Sequence, residues 1–267
     1  TVKLAFMSEL LGRLLPTRGG GGTRPSDPFS IRTLRREPTE SPDGIRGVLE
    51  FSVELTQSFL ENEAEVIVEA MGIIKEGDVT SGYHCMTTSY LSDQLDRSLK
   101  NLDLECLDLM YLHNAVEGQI KDVSKEQFLE NLKSVFELYE QKRNEGKIKF
   151  YGMATWECFR VPPDNPQYLS LEDTVNMAKK IGGEDHGFRF IQLPYNMNYD
   201  QALLAKNQML GTENVSILEA ALRLGIGVFT SVPFMQGRLL APGAIPEFNG
   251  LKPSMRALQF IRSSPGV

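Results

Sequence analysis

Apolar and polar positions change their spacing repeatedly after residue 64. Glu65-Val-Ile-Val-Glu69 is short and β-branched, the pattern of a buried strand. From Ser89 to Leu102 the period becomes helical: Leu91, Leu95, Leu99 and Leu102 form one stripe, and Ser89 is placed to cap it. Leu104 to His113 reads as a strand that ends in polar residues. Ser124 to Glu145 is the clearest helix. Ser124 and Gln127 make a capping box, Phe128, Leu132, Val135 and Tyr139 share one side, and Gly146 stops it. The pattern then predicts a strand at 149–153, a helix at 171–180 capped by Ser170 and followed by Gly182-Gly183, and a strand at 188–193. A helix at 216–224 closed by Gly225, a strand at 226–231 and a helix at 252–263 complete it.

Strands alternating with longer helices predict βαβ units and a parallel sheet. No G-x-G-x-x-G follows the first clear strand, so a doubly wound dinucleotide fold lacks its fingerprint. Five strand–helix units fit between 47 and 267, and a (β/α)8 barrel takes roughly 250 residues. There is no short tandem repeat and no clean second-domain boundary.

Residues 1–46 break the rhythm. They hold Gly19-Gly20-Gly21-Gly22, five prolines, and eight basic against five acidic residues, in a chain whose net charge is -7. Glycine runs and prolines oppose regular structure, so a basic, non-regular N-terminal arm is expected over 1–46 and a barrel domain over 47–267. Val2 to Leu15 could supply one short amphipathic turn. An organelle-matrix address is the competing reading of this arm, weakened by its acidic residues. A mean hydropathy of -0.23 and the lack of a run of 18 uncharged apolar residues exclude a membrane-spanning helix. The negative net charge disfavours a nucleic-acid partner. Three scattered cysteines, Cys85, Cys106 and Cys158, give no disulfide framework and suit an intracellular, reducing compartment.

A family likeness emerges from 91–114. Leu-Ser-Asp-Gln-Leu-Asp-Arg-Ser-Leu-Lys-Asn-Leu-Asp-Leu-Glu-Cys-Leu-Asp-Leu-Met-Tyr-Leu-His-Asn resembles the aldo-keto reductase pattern of a helix with L-x-x-S-L-x-x-L before a strand ending D-L-x-x-x-H. Three later segments agree in order. Glu145-Gly-Lys-Ile-Lys-Phe-Tyr-Gly152 is similar to E-G-K-I-R-x-x-G, and Gln192-Leu-Pro-Tyr-Asn196 to a Q-x-x-Y-N strand end. Gly225 to Gly237 resembles G-I-x-V-x-x-x-x-P-L-x-x-G. Gly82-Tyr-His-Cys-Met-Thr87 and Arg160-Val-Pro-Pro163 suggest one branch of the family. The resemblance spans 65–267 and implies a (β/α)8 barrel using NADP(H). Such an enzyme passes a hydride to a carbonyl while a tyrosine, tuned by a lysine and an aspartate, donates the proton beside a histidine.

By that resemblance His113 is the catalytic histidine and Gln192 the carboxamide-binding glutamine, with Asn114 beside the histidine. Ala154-Thr155 stands at the family's S-N pair, and Ser231 at its nicotinamide-stacking aromatic. Other pieces are missing. No tyrosine precedes Tyr83, the third strand ends Val68-Glu69-Ala70-Met71 where the lysine belongs, and Lys75 falls several residues late. The sequence ends where the eighth strand and the phosphate clamp are expected.

The expected fold is therefore α/β, of the (β/α)8 barrel type, incomplete or degenerate at the first two strands and the last. An unclosed barrel leaves open edges that recruit other chains. The first functional expectation is a non-catalytic structural or interaction subunit of a larger assembly, with NADP(H) binding retained or lost and other protein subunits as partners. The alternative is an NADP(H)-dependent oxidoreductase that reduces a carbonyl substrate. Asp103, Glu105 and Asp108 read as solvated faces or caps, and Phe128, Phe136 and Tyr139 as core. Trp156 reads as either a pocket rim or packing. His84-Cys85 with Cys158 fits no standard metal spacing, so no metal is expected.

Overall fold

The computed structural model describes residues 48–51, 72–81 and 84–267. The strand expected at 65–69 and the arm over 1–46 lie outside the described residues. The centre is a five-stranded parallel sheet formed by β1 (Val48–Phe51), β4 (Leu107–His113), β5 (Ile148–Ala154), β6 (Phe188–Pro194) and β9 (Gly227–Ser231). Its spatial order is its chain order, so every crossover steps the same way. Right-handed crossovers that all step one way leave all the helices on one face.

That face is observed. Met110, Leu112, Tyr151, Met153, Ile191 and Leu193 pack in one cluster with the buried stripes of α1 (Thr88–Leu102), α3 (Lys125–Asn144), α4 (Leu171–Gly182) and α6 (Ile217–Leu224). The alternate residues, Leu109, Tyr111 and Ala154 with Phe150, Phe190 and Phe229, form a separate cluster on the opposite face. A doubly wound sheet carries helices on both faces. This one-sided arrangement is the arc of a (β/α) barrel wall, in agreement with the α/β expectation.

Local sequence explains the helix ends. The hydroxyls of Ser124, Ser170 and Ser216 accept bonds from the backbone N–H three residues on, at 3.2, 3.1 and 3.2 Å. Gly146 and Gly225 follow α3 and α6 at φ +74° and +69°, the left-handed region that glycine adopts without penalty. The capping box at Ser124 is one-sided, because the Gln127 amide turns to Asn131 at 3.0 Å. Ser89 is not a cap: the helix starts at Thr88, and the Ser89 hydroxyl donates to the Ile73 carbonyl at 3.0 Å.

Several short elements went unpredicted. They are β2 (Val79–Thr80) and β3 (His84–Cys85), which form an antiparallel pair; α2 (Ala115–Gln119); α5 (Gln201–Leu204); and the hairpin β7 (Gln208–Leu210) with β8 (Glu213–Val215). The last helix, α7, runs Pro253–Arg262, with proline at its permitted first position.

The inner face needs two glycines. A Cβ on Gly152 would lie 2.9 Å from the Tyr111 ring and 2.8 Å from the Phe190 carbonyl carbon, and one on Gly227 would lie 2.7 Å from the Phe190 ring. Tyr111, Phe190 and Phe229 fill the space these glycines leave, in edge-on and tilted contacts with centroids 6.3 and 5.7 Å apart.

Candidate functional site

The carboxyl ends of the parallel strands bring the sequence-predicted residues together. His113 pairs in register with Ala154, Ala154 with Gln192, and Gln192 with Phe229. Residues paired across parallel strands share a face, and Ala154 and Phe229 belong to the inner cluster. His113 and Gln192 therefore point to the inner side at the top of the sheet, both half-buried. Ser231 lies two residues beyond Phe229 on the same side. Asn114 and Thr155 are the first residues past their strands, and their backbone N–H groups continue the ladder to Ala154 O (2.7 Å) and Gln192 O (2.8 Å).

The mouth is held by α2, a helix too short for periodicity to reveal. Asn114 precedes it in the left-handed conformation (φ 45°, ψ 39°). Glu117 Oε1 accepts three backbone N–H bonds, from Trp156 (2.9 Å), Glu157 (2.7 Å) and Cys158 (3.3 Å), and so fixes the loop after β5. Gly118 and Gln119 hold the β2–β3 pair. Thr80 Oγ1 donates to Gly118 O at 2.7 Å, and the Gln119 amide donates to Thr80 Oγ1 at 2.6 Å and lies 3.1 Å from His84 Nδ1. His84 Nε2 lies 3.1 Å from the carbonyl of His113. The amide of Gln119 can only donate to Nδ1, and the carbonyl can only accept, so this neutral imidazole carries its hydrogen on Nε2. Burial pulls the His84 pKa below its ordinary value, against the weaker pull of the His113 carbonyl and of Glu117.

The rest of the rim is structural. Arg160 donates to Trp156 O at 3.0 and 2.8 Å and to Gln201 Oε1 at 3.0 Å, and its guanidinium lies 5.5 Å from the Tyr199 ring. Trp156 stands edge-on to Tyr199 at 6.2 Å and is 40% exposed, so it is a rim residue. Asn196 donates to Val232 O at 2.9 Å and accepts from the Asn198 and Tyr199 N–H groups, and Tyr195 bonds Ser264 at 2.6 Å. The asparagine of the Gln192–Asn196 motif thus braces the loops after β6 and β9, and its tyrosine ties the end of β6 to the turn after α7. Cys85 and Cys158 are buried and Cys106 half-buried; burial pushes each thiol upward, away from a reactive thiolate. Among the described residues no group of three or more His, Cys, Asp or Glu could hold a metal ion. None of the described helices is long and apolar enough to cross a membrane.

Sequence reasoning singled out His113, Asn114, Thr155, Gln192 and Ser231, and the structure places all five at the carboxyl ends of β4, β5, β6 and β9. It missed Thr80, Glu117, Gln119 and the role of His84. The one available signal was the Gly82–Thr87 stretch, read only as a mark of a family branch.

Among solved structures the chain is similar to an aldo-keto reductase of Bacillus halodurans, designated AKR11C1 (holo form). The identity is 17%, over 73% of this chain and 57% of that one, with a TM-score of 0.44. It is also similar to an aldo/keto reductase of Klebsiella pneumoniae in complex with NADP and acetate: 18% identity, 66% of this chain, 52% of that one, TM-score 0.41. A third is the glycerol dehydrogenase AKR11B4 of Gluconobacter oxydans: 14% identity, 69% of this chain, 44% of that one, TM-score 0.41. The chain thus spans only about half the length of these structures. No curated protein matches it. Residues 53–162, which carry His113, Asn114, Thr155 and all of α2, match the model of the aldo/keto reductase family, and it is to that family that the chain is similar in sequence.

Proposed function

We propose that this chain is a reductase-like, non-catalytic interaction subunit of a larger assembly. One observation carries the reading: the mouth groups His113 with Gln192, while among the described residues Tyr111 lies two residues deeper than His113 and Tyr139, Tyr151, Tyr195 and Tyr199 are engaged elsewhere. No tyrosine precedes Tyr83. Tyr139 and Tyr151 are buried under the helices, Tyr195 is bonded to Ser264, and Tyr199 lies beside Arg160. Burial pushes the Tyr139 and Tyr151 hydroxyls far above the ordinary phenol range. Lys75, the first lysine after Lys3, is exposed on a turn where Asp78 accepts from its backbone N–H. The case for a partner is the sheet: among the described residues β9 pairs only with β6, and the inner-face Phe150, Phe190 and Phe229 are partly exposed.

A second reading, an NADP(H)-dependent oxidoreductase acting on a carbonyl, is favoured by the row His113–Ala154–Gln192. The half-exposed Gln192 amide suits the carboxamide of a nicotinamide ring. Ser231 offers no aromatic platform for that ring, and Phe229 lies one step deeper. When bound, NADPH supplies the hydride, and the chain's own contribution would be orientation by Gln192, Asn114, Thr155 and Ser231, with His113 at the carbonyl oxygen.

Quenching of intrinsic fluorescence by NADPH, followed by turnover of a generic aldehyde, separates the two. The first reading expects no turnover, and a particle larger than one chain when isolated from its source. Tight NADPH binding with turnover that His113→Ala abolishes would overturn it. Absence of binding at millimolar NADPH removes the second.

A further inference from the structure

The peptide that joins His113 to Asn114 is where the strand becomes the site. Asn114 sits at φ 45°, ψ 39°, a region sparsely populated by residues other than glycine. Such a conformation persists only where the surroundings hold it. Here both ends of the peptide are held. The Asn114 N–H donates to Ala154 O at 2.7 Å, and the His113 carbonyl takes the Nε2 hydrogen of His84 at 3.1 Å. Without the second bond, rotation of this peptide plane would let Asn114 return to right-handed backbone, turning the His113 and Asn114 side chains to new directions.

The imidazole that makes this bond is itself fixed. It is 2% exposed, its Nδ1 receives the Gln119 amide, and its ring lies against the bare face of Gly118, where a Cβ would be 2.8 Å from the His84 Cβ and closer still to the ring. Thr80 anchors the same Gln119 and the carbonyls of Gly118 and His84. No atom of this chain of bonds needs to touch a ligand.

We propose that His84 is the positioning residue of the mouth, acting through the 113–114 peptide to set the directions of His113 and Asn114. The inference rests on reading the mouth as the ligand site, and its test needs no ligand. The chain has three histidines, so ring-labelled NMR of the full chain gives three signals, assigned with His113→Ala and His186→Ala. In His84→Ala the His113 ring signal shifts or splits, and the Asn114 amide exchanges at least tenfold faster. His84→Gln, whose amide nitrogen reaches about as far as Nε2, restores both. Should His84→Ala fail to fold, Gln119→Leu takes its place: it frees Nδ1 and produces the same shift at His113 in smaller measure. An unchanged His113 ring and Asn114 amide in a folded His84→Ala or Gln119→Leu chain would overturn the proposal. A wild-type chain that ignores NADPH would count against the oxidoreductase reading while leaving these shifts as they are.

Discussion

The two ends of the parallel strands are both fastened by buried polar groups, but in different ways. At the amino ends one helix does the fastening. Glu140 of α3 accepts from the Gly187 N–H at 2.6 Å and pairs with Arg143 at 2.5 Å, while Arg143 also donates to Lys149 O at 2.9 Å. Gly182 and Gly187 leave room for these side chains: a Cβ on Gly182 would lie 2.6 Å from the Glu140 carboxyl carbon. At the carboxyl ends the fastening is spread over α2, the β2–β3 pair and the loop after β5, and its centre is a neutral imidazole. A charge pair set into the wall shows itself in stability when one partner is removed and the other charge is left behind. A neutral network next to strand ends can also aim side chains. Structural duty thus falls to the amino ends, and the positioning duty proposed for His84 falls to the carboxyl ends, the side on which barrels carry their chemistry.

The largest effect that tests this contrast is expected from Glu140→Ala. It strands the Arg143 guanidinium and the Gly187 N–H, which costs about 3–5 kcal/mol, read as a lower urea midpoint with the His113 ring signal unmoved. Gly152→Ala comes next. Its Cβ meets the backbone of Phe190, which cannot give way cheaply, and a loss of about 3 kcal/mol is expected in the same assay. Glu117→Ala releases three backbone N–H groups after β5, and about 1–3 kcal/mol is expected, with the change in hydrogen exchange concentrated at Trp156, Glu157 and Cys158.

Acid should divide the two ends less sharply, because each has a buried histidine. His84 above and His186 below are both pulled under the ordinary histidine value, first by burial, and His186 then by Arg189. A depressed value means the folded chain binds fewer protons than the unfolded one. Stability is then full above pH 6.5 and falls as pH drops from there toward the folded values, by about 1.4 kcal/mol per unit of depression for each group. Unfolding midpoints measured from pH 7.5 to 5 should decline, and His84→Gln should flatten part of the decline. The smallest effect belongs to His113→Ala, about 1 kcal/mol or less, since its side chain is half-buried; a large loss there would recast His113 as a structural residue.

Legibility followed the length of the signal. The long stripes at 91–102 and 128–139 survived into the structure because three buried leucines with a half-buried fourth, and four buried positions in the second stripe, leave no other face to bury. The serine caps at 124 and 170 were legible because a hydroxyl three residues before a free N–H is a local device; the cap at Ser216 emerged only from the structure. Ser89 misled because its hydroxyl had a better distant acceptor, the Ile73 carbonyl. The strand expected from Leu104 starts at Leu107 instead: Leu104 is 45% exposed, and Asp103 turns left-handed to end α1. The β7–β8 hairpin carries only three residues on each side. It is fixed by distant bonds, among them Gln208 to the carbonyls of Phe159 and Leu169, which no window of sequence contains.

Sequence alone settled the alternation of strands and helices, the likeness of 91–114 to a reductase, and the absence of any tyrosine before Tyr83. Each of these is a property of neighbours along the chain. Only the tertiary structure decided that all the described helices flank one face of the sheet, that His113 and Gln192 share a row, and that His84 stands behind His113. Those facts depend on which strands pair and in what register, and register is set by burial summed over the whole sheet.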